Sequence, residues 1–107
     1  MALGNVYEVV VKDAPKIELS CAESFFLGLV QTDAEDTASS RIHSGRVYDI
    51  DLRLSYAIVK CYCSRVGDVF SGKFKFQVRA DLEKKVLDAL PDVAPSFKNN
   101  IFLSSWD

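Results

Sequence analysis

Two alternating stretches with a turn signal between them constrain this chain more than anything else in it. Residues 48–63 and 69–79 both alternate apolar and polar side chains, and Gly67-Asp68 between them has the composition of a tight hairpin turn. A two-residue turn there sets Cys61 opposite Phe74, Val59 opposite Phe76 and Ala57 opposite Val78 on one face. The other face then carries Tyr62 beside Lys73, Lys60 beside Lys75, and Tyr56 beside Arg79. One face reads as core. The other, basic and aromatic, is left for water or for a partner.

The remaining elements are read around this hairpin. Residues 5–12 alternate as well, with Tyr7, Val9 and Val11 on one side and Val6, Glu8 and Val10 on the other, so a strand is expected there. Asp13-Ala14-Pro15 is expected to break it. Residues 16–31 fit two readings. Ser20 and Glu23 form a capping-box pattern, and Ala22, Phe25, Phe26, Leu29 and Val30 recur at helical spacing, which favours a short helix. Gly28 and the Phe-rich run also suit a buried strand. Residues 31–45 are polar and read as a long loop. Asp81 is placed to cap a helix over 82–90, with Leu82, Val86, Ala89 and Leu90 as its stripe and Pro91 as its stop. Pro95, Asn99 and Asn100 make the tail irregular before Ile101, Phe102, Leu103 and Trp106.

The sum is an α+β fold: an antiparallel β-meander sheet with a prominent hairpin over about 47–79 and a following helix over about 82–90. Its core should include Val59, Cys61, Phe70, Phe74, Phe76, Val78, Leu82 and Val86. One irregularity stands out. Tyr48, Ile50, Leu52 and Leu54 put the apolar side on even positions, whereas from Ala57 onward it falls on odd ones. Either a β-bulge near Ser55-Tyr56 re-aims the side chains, or each end of the strand buries a different face. The second alternative needs a subunit interface. Together with Phe25, Phe26, Ile101, Phe102 and Trp106, it leads to the expectation of a homo-oligomer.

A chain of 107 residues is expected to form one domain, 1–107. The net charge of −2 argues against a nucleic-acid footprint over the whole molecule. Its distribution is uneven: residues 1–36 hold seven acids and two bases, and residues 37–79 hold three acids and eight bases, so the hairpin is the basic part. No apolar run approaches the ~20 residues of a membrane helix. An alternating stretch stands where a secretory signal would have its apolar centre, so a cytoplasmic location without membrane contact is expected. Three cysteines give no paired framework. Cys61 and Cys63 share one side of a strand and read as small buried hydrophobes. Cys21 and His43 lack ligand spacing, so neither a metal site nor a cofactor is expected.

The segment Asp36-Thr37-Ala38-Ser39-Ser40, followed by Val47-Tyr48 and Leu52-Arg53, resembles the second half of the SecB export chaperones. The strand Phe74-Lys75-Phe76-Gln77-Val78 is similar to the next strand of that family, and Asn100-Ile101-Phe102-Leu103 resembles the segment that opens one of its helices. The likeness covers about half of the chain and carries no catalytic signature. It implies a four-stranded antiparallel sheet with helical packing, an oligomer, and grooves that hold unfolded chains without ATP. It would also make residues around 27–31 a strand. The chain departs from the family in lacking its long C-terminal helices and its strong acidity.

An enzyme is not expected. His43 lies among Ser39, Ser40, Arg41, Ser44 and Arg46, with Asp36 nearby, but catalytic triads are defined by geometry, and no phosphate-loop or nucleotide pattern is present. Asp49 and Asp51 share a strand side, where cross-strand bases are their natural partners. The expected function is a non-enzymatic protein-binding module, in its sharpest form a SecB-like holdase for unfolded polypeptide. Its candidate surface combines Phe25, Phe26, Leu29, Tyr56, Ile58 and Tyr62, with Lys73, Lys75 and Arg79 favouring acidic partners. A small inhibitor or adaptor that masks one folded partner is one alternative. The other is single-stranded nucleic-acid binding through the basic aromatic face, where tyrosines interleave with lysines.

Overall fold

The computed structural model describes residues 2–29, 38–41 and 47–107. The chain runs β1 (Leu3–Pro15), α1 (Lys16–Leu27), β2 (Ala38–Arg41), β3 (Val47–Arg53), β4 (Ala57–Val66), β5 (Val69–Arg79), α2 (Glu83–Val93) and β6 (Ile101–Ser104). Short 3-10 turns at Ala80–Leu82 and Pro95–Phe97 flank α2. The strands form one antiparallel six-stranded sheet in the order β2-β3-β4-β5-β1-β6. β2 to β5 are the expected meander, and β1 inserts between β5 and β6, so the fold is α+β.

The hairpin register is the one the alternation predicts. Cys61 pairs with Phe74, Val59 with Phe76, Ala57 with Val78, Tyr62 with Lys73 and Lys60 with Lys75, around Gly67-Asp68. The preceding arm differs. Residues 48–63 form two strands instead of one, because the chain reverses at Ser55-Tyr56. Leu54 N–H donates to Ala57 O (2.8 Å) and Ala57 N–H donates to Leu54 O (3.3 Å). Across such a turn even positions face odd ones, so Ile50 meets Cys61 and Leu52 meets Val59 on one side. The parity switch is therefore a tight turn, neither a bulge nor a two-sided strand, and the interface argument built on it falls.

Three other boundaries move. Asp13, at a φ of 52°, sits in an irregularity of the β1–β5 ladder and donates its N–H to Ser71 Oγ (2.9 Å), so β1 bends and continues to Pro15. α1 starts at Lys16, whose N–H is held by Asp68 O (2.8 Å), so Ser20 and Glu23 lie inside the helix and are not its capping box. The helix ends at Leu27, with Gly28 N–H bonded to Ser24 O (3.0 Å). α2 opens without a side-chain cap, because the Asp81 carboxylate takes Arg79 instead. Pro91 lies in the last turn and forfeits one helical bond there without ending the helix. The tail is not irregular throughout, since β6 pairs with β1. Within the expected loop 31–45, β2 is a strand against β3, and the rest of that loop lies outside the described residues.

The core lies between the helices and one face of the sheet. Phe26 of α1 rests on Phe74 and Phe76 of β5, with ring centroids 5.9 and 5.4 Å apart, and Phe97 approaches Phe74 at 5.3 Å. Val86 and Leu90 of α2 are fully buried, and Leu82 packs at the margin. Both helices thus cover one face of the sheet. Among the described residues no helix lies on the opposite face.

Candidate functional site

The uncovered face can be read from the register as three rows. Tyr62, Lys73 and Val10 lie side by side across β4, β5 and β1. Below them run Asp51, Lys60, Lys75, Glu8 and Phe102, and then Arg53, Ile58, Gln77, Val6 and Ser104. Tyr62 is 55% exposed and Phe102 53%. Antiparallel pairing of Lys60 and Lys75 sets two like charges directly opposite, which costs stability unless acids or solvent relieve it. Glu8 provides part of that relief, with Oε1 3.8 Å from both Lys73 and Lys75.

The segment after β6 folds back onto this face. Lys75 Nζ donates to Ser105 O (2.8 Å), Trp106 Nε1 donates to Gln77 Oε1 (2.8 Å), and Lys60 Nζ stands 5.8 Å from the centre of the indole ring. Gln77 is itself oriented by donating from Nε2 to Gly4 O (2.9 Å). A backbone carbonyl, an aromatic side chain and a cation over its ring thus meet on the face.

The structure divides the nine residues expected to form one surface. Phe26, Leu29 and Tyr56 are buried on the helix side, and Phe25 packs against that core, so these four do not share a surface with Tyr62. Tyr56 lies in the β3–β4 turn and is not on the open face; its hydroxyl donates to Phe26 O (2.9 Å) and Leu27 O (3.3 Å) at the end of α1. Ile58, Tyr62, Lys73 and Lys75 do share the open face. Arg79 is engaged by Asp81 through two bonds of 2.6 and 3.0 Å, and that pairing pushes the guanidinium up and the carboxyl down from their ordinary values. Sequence reasoning missed Phe102 and Trp106 as members of this face. The short apolar run Ile101-Phe102-Leu103, bounded by turn residues, was the available signal, and Pro95 and the paired asparagines obscured it.

Other candidate chemistry is sparse. Cys61 donates its thiol hydrogen to Cys63 Sγ at 2.9 Å, both being buried, and this bond holds the Cys63 thiol below its ordinary value against the opposing effect of burial. Cys21 is exposed on α1. Among the described residues no group of three or more His, Cys, Asp or Glu side chains could hold a metal ion. Asp51 pairs with Arg53 at 3.4 Å and faces Lys60 across the strands. Asp36, His43, Ser44 and Arg46 lie outside the described residues. A groove of about 450 Å³, lined by Pro15, Lys16, Ile17, Ser20 and Asp68, lies where α1 meets the β4–β5 turn. No helix among the described residues is long and apolar enough to cross a membrane. No family model, no curated protein and no solved structure matches the chain. The likeness to SecB therefore rests on the quoted sequence segments alone.

Proposed function

We propose that the chain is a non-enzymatic protein-binding module that takes up extended polypeptide on its open sheet face, with a SecB-like holdase as the sharpest form of that activity. What carries this reading is the chain's own segment on the face, where Lys75 holds the Ser105 carbonyl and Gln77 holds the Trp106 indole. A carbonyl and an aromatic ring are features that most unfolded sequences can offer, so the same contacts suit many clients. Trp106 is the single tryptophan, so its emission reports directly on the occupied face. Titration with a permanently unfolded protein that has no tryptophan, such as reduced and carboxymethylated ribonuclease A, should change that emission saturably. Tyr62→Ala should weaken binding while leaving thermal stability near wild type, because the ring is largely exposed. An unaltered Trp106 signal together with no co-sedimentation of the client rejects the reading.

Single-stranded nucleic acid is a second reading, favoured by Lys60, Lys73 and Lys75 beside the exposed Tyr62. Three phosphate contacts would give a salt slope of about −2 in log–log form. Binding of an oligothymidylate with such a slope, and none of the unfolded protein, selects it.

A further inference from the structure

The sheet ends at β6, a short edge strand that carries no charge, proline or bulge to keep it from pairing. Ile101, Phe102, Leu103 and Ser104 include no charge and no proline, and the β1–β6 ladder shows no register shift. The side chains beside the edge are large, apolar and exposed. Leu103 is 71% exposed on the helix side of the sheet, and Phe102 stands out on the open side.

The backbone has a definite parity. Val10 N–H donates to Asn100 O (3.3 Å), and antiparallel ladders alternate, so Asn100, Phe102 and Ser104 turn their backbone groups toward β1. Ile101 and Leu103 turn theirs outward. Those two positions are related by reversal about Phe102. An identical strand running antiparallel can therefore place its Leu103 against Ile101 and its Ile101 against Leu103, matching every outward group with a complementary one. The Phe102 rings then face each other in the close, non-hydrogen-bonded pair, where the Cα atoms lie about 4.5 Å apart.

We propose that β6 pairs with β6 of a second copy of this chain about a twofold axis through Phe102, joining two six-stranded sheets into one. Opposed residues of an antiparallel pair lie on the same side, so both open faces look the same way and form one continuous platform. Leu103 and Phe102 are covered on opposite sides of the seam. Assembly is read without any ligand, so its outcome is independent of the polypeptide reading.

The test is sedimentation of the full chain from low to high micromolar concentration, together with two edge variants. Leu103→Pro removes an outward N–H that the β1–β6 ladder does not use, so the fold should persist by far-ultraviolet circular dichroism while dimerisation weakens about tenfold or more. Leu103→Lys, which keeps the N–H and adds a gatekeeper charge, should weaken it as well and serves if the proline variant does not fold. On a Cys21→Ser background, Phe102→Cys should cross-link two copies under diamide, whereas Ser104→Cys, which would face Asn100, should not. A monomer at every concentration overturns the proposal. So does a dimer that both Leu103 variants leave intact.

Discussion

Glu83 shows how one side chain can join distant parts of this fold. It lies at the start of α2, accepts a hydrogen bond from the Tyr7 hydroxyl and another from Asn5 N–H (3.1 Å), and so fastens α2 to β1. A Cβ added at Gly4 would overlap Glu83 Oε2, so the close approach depends on a glycine there. The Tyr7 hydrogen bond, with help from Asn5, holds the Glu83 carboxyl below its ordinary 4.5, and the same bond raises Tyr7 above its ordinary 10.0. A carboxyl depressed in the folded state contributes stability above its unfolded value and loses it as pH falls through the folded one. A phenol raised in the folded state contributes below its unfolded value and loses that contribution as pH rises through the folded one. The clasp therefore works between roughly pH 5 and pH 9 and weakens on either side. Thermal melts should show Glu83→Gln less stable than wild type at pH 7, with the gap closing as pH drops below the ordinary carboxyl value. Gly4→Ala should displace the same carboxylate, so the double variant should be little worse than either single one. Additive losses would show that Gly4 and Glu83 act separately. A pH-independent gap would remove the clasp.

At the scale of elements, Tyr56 explains most of what the sequence concealed. The β4–β5 turn was legible because Gly67 takes a φ of 62°, a conformation that glycine supplies freely. Ser55 and Tyr56 reverse the chain without glycine, asparagine or a positive φ, so no local signal marks that turn. Its conformation is sustained from outside. The Tyr56 hydroxyl donates to the final carbonyls of α1, and Tyr56 O accepts Arg79 N–H (2.7 Å). Tertiary contact here replaces turn propensity, and alternation alone could report only a parity switch. Four of the nine candidate residues lie with the helix-side core, and Tyr56 is among them for the same reason, since its hydroxyl turns to the Phe26 carbonyl. Lys73, Lys75 and Tyr62 were placed correctly because the hairpin register alone sets their side. Tyr56→Phe should cost about 0.5–1.5 kcal/mol in urea unfolding by removing the hydroxyl's bonds to the helix-end carbonyls, of which Phe26 O keeps the Leu29 N–H (3.3 Å). Phe74→Ala, which opens a void against Phe26 and Phe97, should cost about 3–5 kcal/mol. A Tyr56→Phe protein as stable as wild type would mean that other donors serve those carbonyls.

Across the whole molecule, stability should fall into two tiers. β1 lies between β5 and β6 and so ties both ends of the chain into the sheet, whose inner strands β1, β4 and β5 carry Val9, Val59, Phe74 and Phe76 fully buried. Opening any of those strands exposes the common core, so the sheet and helices should unfold as one unit. The segment beyond β6 is held differently. Its ties are the Lys75 bond to Ser105 O, the bond from the Trp106 indole to Gln77 and the contact with Lys60, all on the face opposite the helices. Such a strap can lift while the ladder beneath it stays closed, and lifting is what a polypeptide needs in order to take its place. Urea titration followed at once by Trp106 emission and by far-ultraviolet circular dichroism should resolve the two tiers, the emission changing at lower urea. Lys75→Met should shift the emission curve further down and leave the dichroism midpoint nearly unmoved, because Lys75 bonds the strap while its ion pair with Glu8 is long, at 3.8 Å. Coincident curves in both proteins would make the segment part of the cooperative sheet, and a polypeptide would then have to bind beside Trp106 instead of displacing it.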